Sequence, residues 1–173
     1  MLSSTQTLSF SSARVSPMAE ADVADVLAIE RRCNSHPWSE RNFRDALASG
    51  YLCLIAREAG VPCGFAVGRM LLDEAELLLI AVLPEIRRQG VATLLWNELA
   101  LRLYASGARR IHLEVRQSNT GAQRFYAMRG FTIEGIRGGY YPSGTQDSRR
   151  EDALLMQVAL HSASAHAGDA AKE

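Results

Sequence analysis

Long apolar runs are missing from this chain of 173 residues. The longest uninterrupted one, residues 77–83, falls far short of the roughly 20 residues a membrane-spanning helix needs. Net charge is missing too. Nineteen Lys and Arg are balanced by nineteen Asp and Glu, which argues against wholesale binding to nucleic acid or to an anionic membrane surface. Cysteine is scarce: Cys33, Cys53 and Cys63 form no Cys-x-x-Cys pair and no metal-ligand spacing. They read as packing or surface thiols of a reducing compartment, and no metal is expected. Residues 1–12 are Ser/Thr-rich but hold no positive segment leading into an apolar one, so they do not read as a secretory signal. A cytoplasmic monomer is expected.

What is present fits a soluble globular fold, with 47% apolar and 22% charged residues. The length suits one domain burying roughly 70% of the surface its unfolded chain exposes. Residues 1–8 and 161–173 carry no hydrophobic period and read as loose tails around a domain at 9–160. Inside it the period switches repeatedly. Val23, Val26, Leu27 and Glu30 lie at helical spacing within 20–33, a short amphipathic helix after Pro17. After the break His36-Pro37-Trp38, Ser39 is placed to cap a second helix running to about Ala48. Residues 51–57 and 63–72 read as a hairpin around a turn at 58–62, and 76–82 as a buried central strand. Val91, Leu95, Leu99 and Leu103 mark a helix from Gly90 to about Ser106, with Gly107 at its stop. Ile111, Leu113 and Val115 alternate with His112, Glu114 and Arg116 in a strand. Residues 119–128 read as a short helix ending near Gly130, followed by strands near 131–137 and 152–159. The order β-α-α-β-β-β-α-β-α-β-β predicts an α/β fold, a mixed sheet flanked by helices.

The segment with chemical content starts where the central strand ends. Ile80-Ala81-Val82-Leu83-Pro84 leads into Glu85-Ile86-Arg87-Arg88-Gln89-Gly90-Val91-Ala92, a basic turn and then a strong helix. The first N–H groups of a helix lack intrahelical partners and sit at the positive end of its dipole. Arg87 and Arg88 add charge, and Gly90 and Ala92 let a ligand approach the backbone. This suits a pyrophosphate. It equally suits a basic loop capping a helix, with Gly90 serving only the turn. No Gly-Lys-Ser/Thr follows, as a Walker A loop requires, and GxGxxG is absent.

The order Arg87-x-x-Gly90-x-Ala92 behind Ile80-Ala81-Val82 resembles the acetyl-CoA motif, Arg/Gln-x-x-Gly-x-Gly/Ala, of the GNAT (GCN5-related) N-acetyltransferases. Further pieces follow in the right order: Leu113-Glu114-Val115-Arg116-Gln117-Ser118-Asn119, Phe125-Tyr126-x-x-x-Gly130-Phe131, Tyr140-Tyr141-Pro142 and Arg150-Glu151-Asp152-Ala153. Upstream, His36-Pro37-Trp38-Ser39-Glu40 extends the likeness, which spans about 15–158 and is strongest to the branch acetylating ribosomal-protein alanines. The resemblance implies the GNAT fold, a mostly antiparallel central sheet of about six to seven strands with about four helices. It implies acetyl-CoA as the acetyl donor. Backbone N–H groups of Ile80, Ala81 and Val82 would hold the thioester and pantetheine. Arg87, Arg88, Gln89, Gly90, Val91, Ala92 and Thr93 would surround the pyrophosphate. Asn119 matches a cofactor-contacting asparagine, Glu114 the general base and Tyr126 the general acid.

Such residues answer a chemical need. An amine is protonated at neutral pH, and only the free amine attacks a thioester, so a carboxylate must take the proton. The departing thiolate needs an acid, and backbone N–H groups stabilise the oxyanion formed on attack. Each residue also has a plainer reading. Glu114 suits a solvated strand residue paired with Arg116, Tyr126 a core aromatic beside Phe125, Asn119 or Ser118 a helix N-cap, and Trp38 simple packing. His112 falls on the outer face at the strand's start and is not expected to be the base. Tyr140 and Tyr141 read as exposed binding aromatics in a Gly-rich loop. Leu79, Gly138-Gly139 and a lengthened 143–149 depart from the family's pattern on the peptide-facing side. The acceptor implied is the N-terminal alanine of a small-subunit ribosomal protein, a basic substrate that Asp73, Glu74 and Glu76 near the cleft would attract. The alternatives are another amine (a polyamine, a lysine or a different N-terminus) and a CoA-binding module without turnover.

Overall fold

The computed structural model describes residues 12–142 and 150–161. The expected tails, His161 apart, and residues 143–149 lie outside them. The described elements are β1 (Arg14–Pro17), a 3₁₀ turn (Glu20–Asp22), α1 (Val23–Cys33), α2 (Glu40–Ala48), β2 (Leu52–Glu58), β3 (Val61–Leu71) and β4 (Glu74–Val82). A second 3₁₀ turn (Pro84–Ile86), α3 (Val91–Ala105), β5 (Arg110–Arg116), α4 (Thr120–Ala127), β6 (Thr132–Tyr141) and β7 (Glu151–Ala159) follow. The seven strands form one sheet in the order β1-β2-β3-β4-β5-β7-β6. Only β4 and β5 run parallel; every other neighbour is antiparallel. Among the described residues no helix is long and apolar enough to cross a membrane.

Local chemistry explains where the elements begin and end. The β2–β3 hairpin turns on Ala59 and Gly60, both at positive φ (48° and 84°), the backbone that matches the twist of a two-residue hairpin. The turn is therefore tighter than the sequence pattern predicts. α1 starts later than expected because Asp22 bends back to accept the Ala19 N–H at 2.8 Å and closes a 3₁₀ turn first. α2 is capped as expected: Ser39 Oγ accepts the Asn42 N–H while Asn42 Oδ1 accepts the Ser39 N–H. β6 runs on through Tyr141, so Tyr140 and Tyr141 stand at a strand end and not in a Gly-rich loop. A register break there, with Gly139 at φ 57°, gives the Gly138-Gly139 pair its purpose.

Two apolar layers enclose the sheet. On one face α3 and α4 bury Leu95, Leu99, Leu103 and Tyr126 against Leu54, Ile111, Leu113 and Val115. On the other, α1 and α2 bury Val26, Ile29 and Phe43 against Ile55, Phe65, Val67 and Ala81. Strand alternation puts His112, Glu114 and Arg116 on the α1–α2 side, where they stay half-buried.

The positioning feature is a parting of strands. β4 and β5 are in register only from Glu74↔Arg110 to Leu77↔Leu113. Past that point β4 follows β3 to Val82 and β5 follows β7 to Arg116. A wedge opens between residues 78–82 and 114–116, whose facing edges carry backbone groups without a strand partner. β3 closes against β4 at its mouth: a Cβ built on Gly64 would lie 2.8 Å from the Ala81 carbonyl oxygen and 3.2 Å from Val82 and Leu95 side-chain carbons. Gly64→Ala is therefore expected to cost about 1–3 kcal/mol, read as a lower Tm in thermal unfolding.

Candidate active site

The α3 end of the wedge is shaped by the turn after β4. Arg88 and Gly90 both take left-handed backbone (φ 65° and 88°), and such turns gather successive N–H groups into an anion-binding nest. Gly90 is the N-cap of α3, and the first bond to its carbonyl comes from Leu94 at 3.0 Å. The N–H groups of Val91, Ala92 and Thr93 are thus without intrahelical acceptors. No acidic residue stands in that first turn, and a Cβ on Gly90 would meet no atom within 4 Å. The Val82 carbonyl is pinned by Arg87 Nε at 3.1 Å and Cys33 Sγ at 3.4 Å, fixing the turn to the end of β4.

A residue the sequence did not reveal adds charge here. Arg129, just past α4, donates from Nη2 to Thr93 Oγ1 at 2.6 Å and from Nη1 to the Phe125 carbonyl at 2.7 Å. Its guanidinium lies over the Phe125 ring, 3.4 Å from the centroid, and Nε is buried without a partner. No carboxylate pairs with it among the described residues, and burial lowers its pKa. A cation at the positive end of a helix is unfavourable alone and favourable beside an anion. Nest, orphan N–H groups, open approach and unpaired guanidinium together fit a diphosphate-bearing group such as coenzyme A.

On the α1–α2 side the wedge is walled by polar groups. Glu114 Oε1 pairs with Arg137 Nη1 at 2.8 Å, and the Tyr140 hydroxyl bonds to the same carboxylate, which raises the Tyr140 pKa. The partner of Glu114 is thus Arg137 and not Arg116. Arg116 bridges instead: Nη1 donates to Glu151 and to the Pro142 carbonyl, both at 3.1 Å, Nη2 to His36 Nδ1 at 3.2 Å, and the guanidinium sits 4.3 Å from the Tyr141 centroid. The rings of Tyr140 and Tyr141 meet edge to face at 4.9 Å. Burial, with Glu114 nearby, pushes Tyr141 up to about 12.

Tyr126 is 8% exposed and packs on Phe125 and Phe131 at 5.5 and 5.4 Å, so the core-aromatic reading holds for its ring. Burial raises its phenol pKa, Tyr141 adds to the rise and Arg129 opposes it. Its ionisation is thereby tied to residues on both walls. Asn119 caps α4 through the Ala122 N–H at 3.1 Å, and Trp38 packs on Phe43 at 5.4 Å. His112 is held between Glu74 and Glu134 at 3.0 and 3.1 Å, outside the wedge.

The acidic trio does not line the cleft. Glu74 and Glu76 lie on the laddered half of β4, matched by Arg110, His112 and Arg69, and Asp73 sits at the β3–β4 turn. The three cysteines carry no disulfide; burial pushes Cys53 up to about 11 and raises Cys33 and Cys63.

The profile of the Acetyltransferase (GNAT) family matches residues 23–131. The chain is 36% identical over 146 residues to the ribosomal protein bS18-alanine N-acetyltransferase of Escherichia coli K12, covering 84% of this chain and 97% of that one. The crystal structure of the ribosomal-protein-S18-alanine N-acetyltransferase from Escherichia coli superposes with a TM-score of 0.79 at 34% identity, over 93% of this chain and 99% of that one. A NatC complex bound to Gag peptide and CoA shares the fold, with a TM-score of 0.76 at 20% identity over 86% of this chain and 99% of the matched one. The seven-stranded mixed sheet, the four α-helices of the described residues and a strand pair parted beside a helix N-terminus agree with those matches: the chain belongs to the GNAT family and is an N-acetyltransferase.

Proposed function

We propose that the protein moves an acetyl group from acetyl-CoA to the N-terminal α-amine of a protein in the cytoplasm, the acceptor being the alanine that opens a small-subunit ribosomal protein. The observation that carries this reading is the wedge between β4 and β5, cationic at its α3 end and walled by Glu114, Tyr140, Tyr141 and Arg116 at the other. The relatives named for bS18-alanine acetylation support the choice of acceptor.

Acetyl-CoA supplies an activated thioester; the remaining work falls to the chain. Val91, Ala92 and Thr93 N–H groups, with Arg88 and Arg129, hold the diphosphate, and Asn119 stands at the start of the neighbouring helix. The backbone of Ile80, Ala81 and Val82, laddered to β3 on one side and open on the side facing β5, holds the pantetheine arm and donates to the developing oxyanion. Trp38, Tyr140 and Tyr141 hold the peptide. Glu114, paired with Arg137, accepts the ammonium proton directly or through one water, and Arg137 is exposed enough to swing aside. Tyr126 gives its proton to the departing thiolate.

N-terminal peptides from cells lacking the protein, compared by mass spectrometry, test the acceptor: one ribosomal N-terminus losing its acetyl group supports the proposal. Loss of none, with a polyamine or lysine acetylated by the purified protein, overturns it. Tyr126→Phe is expected to lower kcat more than about tenfold with acetyl-CoA Kd little changed. An acid works only while protonated, so rate is lost as pH rises through its pKa. With Tyr126 raised above the ordinary value near 10, the wild-type kcat profile should hold until beyond about pH 10 and then fall. Glu114→Gln should also cost roughly tenfold or more near neutrality, the deficit narrowing above about pH 8, where the α-amine sheds its own proton. Donor binding is tested separately by calorimetry: Gly90→Asp, which sets a carboxylate beside the nest, should weaken it by roughly tenfold or more.

A further inference from the structure

Glu30, on the last turns of α1, is the buried charged residue of the described core, with 0% exposure. Such a group is costly to bury, and no cation pairs with it among the described residues. Its two oxygens are used differently. Oε1 accepts the Trp38 N–H at 3.0 Å and Oε2 accepts Asn34 Nδ2 at 2.6 Å, so one carboxyl holds both ends of the loop 34–38. Burial raises its pKa and those two donors oppose the rise. Between those two ties Ser35, His36 and Pro37 are exposed; the Asn34 N–H also bonds the Glu30 carbonyl at 2.9 Å, Trp38 packs on Phe43, and His36 reaches across to Arg116, which stacks on Tyr141.

We propose that Glu30 is a positioning residue for the acceptor: its buried carboxyl sets the loop 34–38 as one wall of the acceptor channel, opposite Arg116 and Tyr141. The inference rests on the proposed function in placing the acceptor between those walls. Glu30 touches no reacting atom. It orders Trp38 against Phe43 and brings His36 to Arg116, so the channel is formed before the acceptor arrives and less ordering is left to binding.

Two substitutions separate this from a merely structural role. Glu30→Met keeps the volume and removes both acceptors. Glu30→Gln keeps an oxygen for the Trp38 N–H and, with the Asn34 amide turned over, a bond to Asn34. Glu30→Met is expected to raise the acceptor KM roughly fivefold or more while the acetyl-CoA KM stays within about twofold. Its Trp38 amide should exchange with deuterium roughly tenfold faster or more. Glu30→Gln should stay near wild type in all three. Parallel rises in both KM values, or an unchanged acceptor KM despite fast Trp38 exchange, would overturn the proposal. Should Glu30→Met fail to fold, Asn34→Ala removes one tie from the exposed side and is expected to raise acceptor KM about two- to threefold with faster Trp38 exchange; no change in either overturns the proposal. The acceptor KM is measured with whichever amine the wild type acetylates, so a wrong acceptor assignment and a wrong role for Glu30 give different results.

Discussion

Everything this fold does depends on two parallel neighbours coming apart. Inside a sheet, backbone N–H and C=O groups are consumed by the ladder; between β4 and β5 the ladder stops at Leu77↔Leu113 and leaves both edges facing a gap. The gap does not heal because each strand is held from its far side. β3 presses onto β4 where Gly64 permits it, Cys33 and Arg87 hold the Val82 carbonyl, and β7 carries β5 in register to Arg116. Donors that face the gap are thereby held in place before any ligand arrives, the preorganisation on which the proposed mechanism draws.

The wedge divides labour by charge. Its α3 end gathers positive elements, the helix dipole, the nest at Arg88 to Gly90 and the guanidinium of Arg129, in a chain whose formal charges cancel. Its other end is a set of mutually neutralising pairs: Glu114 with Arg137, Arg116 with Glu151. One end suits an anion, and the other is the end proposed for the acceptor.

How much of this was readable beforehand follows from how local each signal is. The Leu95–Leu99–Leu103 stripe, the alternation through Ile111, Leu113 and Val115, and the Ser39 cap are short-range patterns, and each element stands where its pattern puts it. Gly90 and the two arginines before it stand out in the sequence because nest and helix start are contiguous there. The partners were not legible. Arg137 reaches Glu114 from another strand, Arg129 reaches Thr93 across 36 positions, and His36 reaches Arg116 across 80. Glu30 stands at helical spacing with Val23, Val26 and Leu27, which puts it on the buried face, but nothing in the local pattern of 20–33 says that it holds the loop beyond its own helix. The places of Tyr140 and Tyr141 depend on distant pairing in the same way. Two consecutive glycines read as a loop, whereas here they bend a strand that continues.

That bent strand has one more effect. β6 is an outer rim of the sheet, and Ile133 and Ile136 on it are 57% and 61% exposed. A straight, greasy rim of this kind would be a template for another chain's backbone. Here the spacing of its pairing groups is interrupted twice, between Ile133 and Gly135 and again between Arg137 and Tyr141. The kinks that aim the tyrosines also deny a neighbouring copy any long run of matching donors and acceptors. The same glycines that bend the strand therefore also blunt the rim it forms.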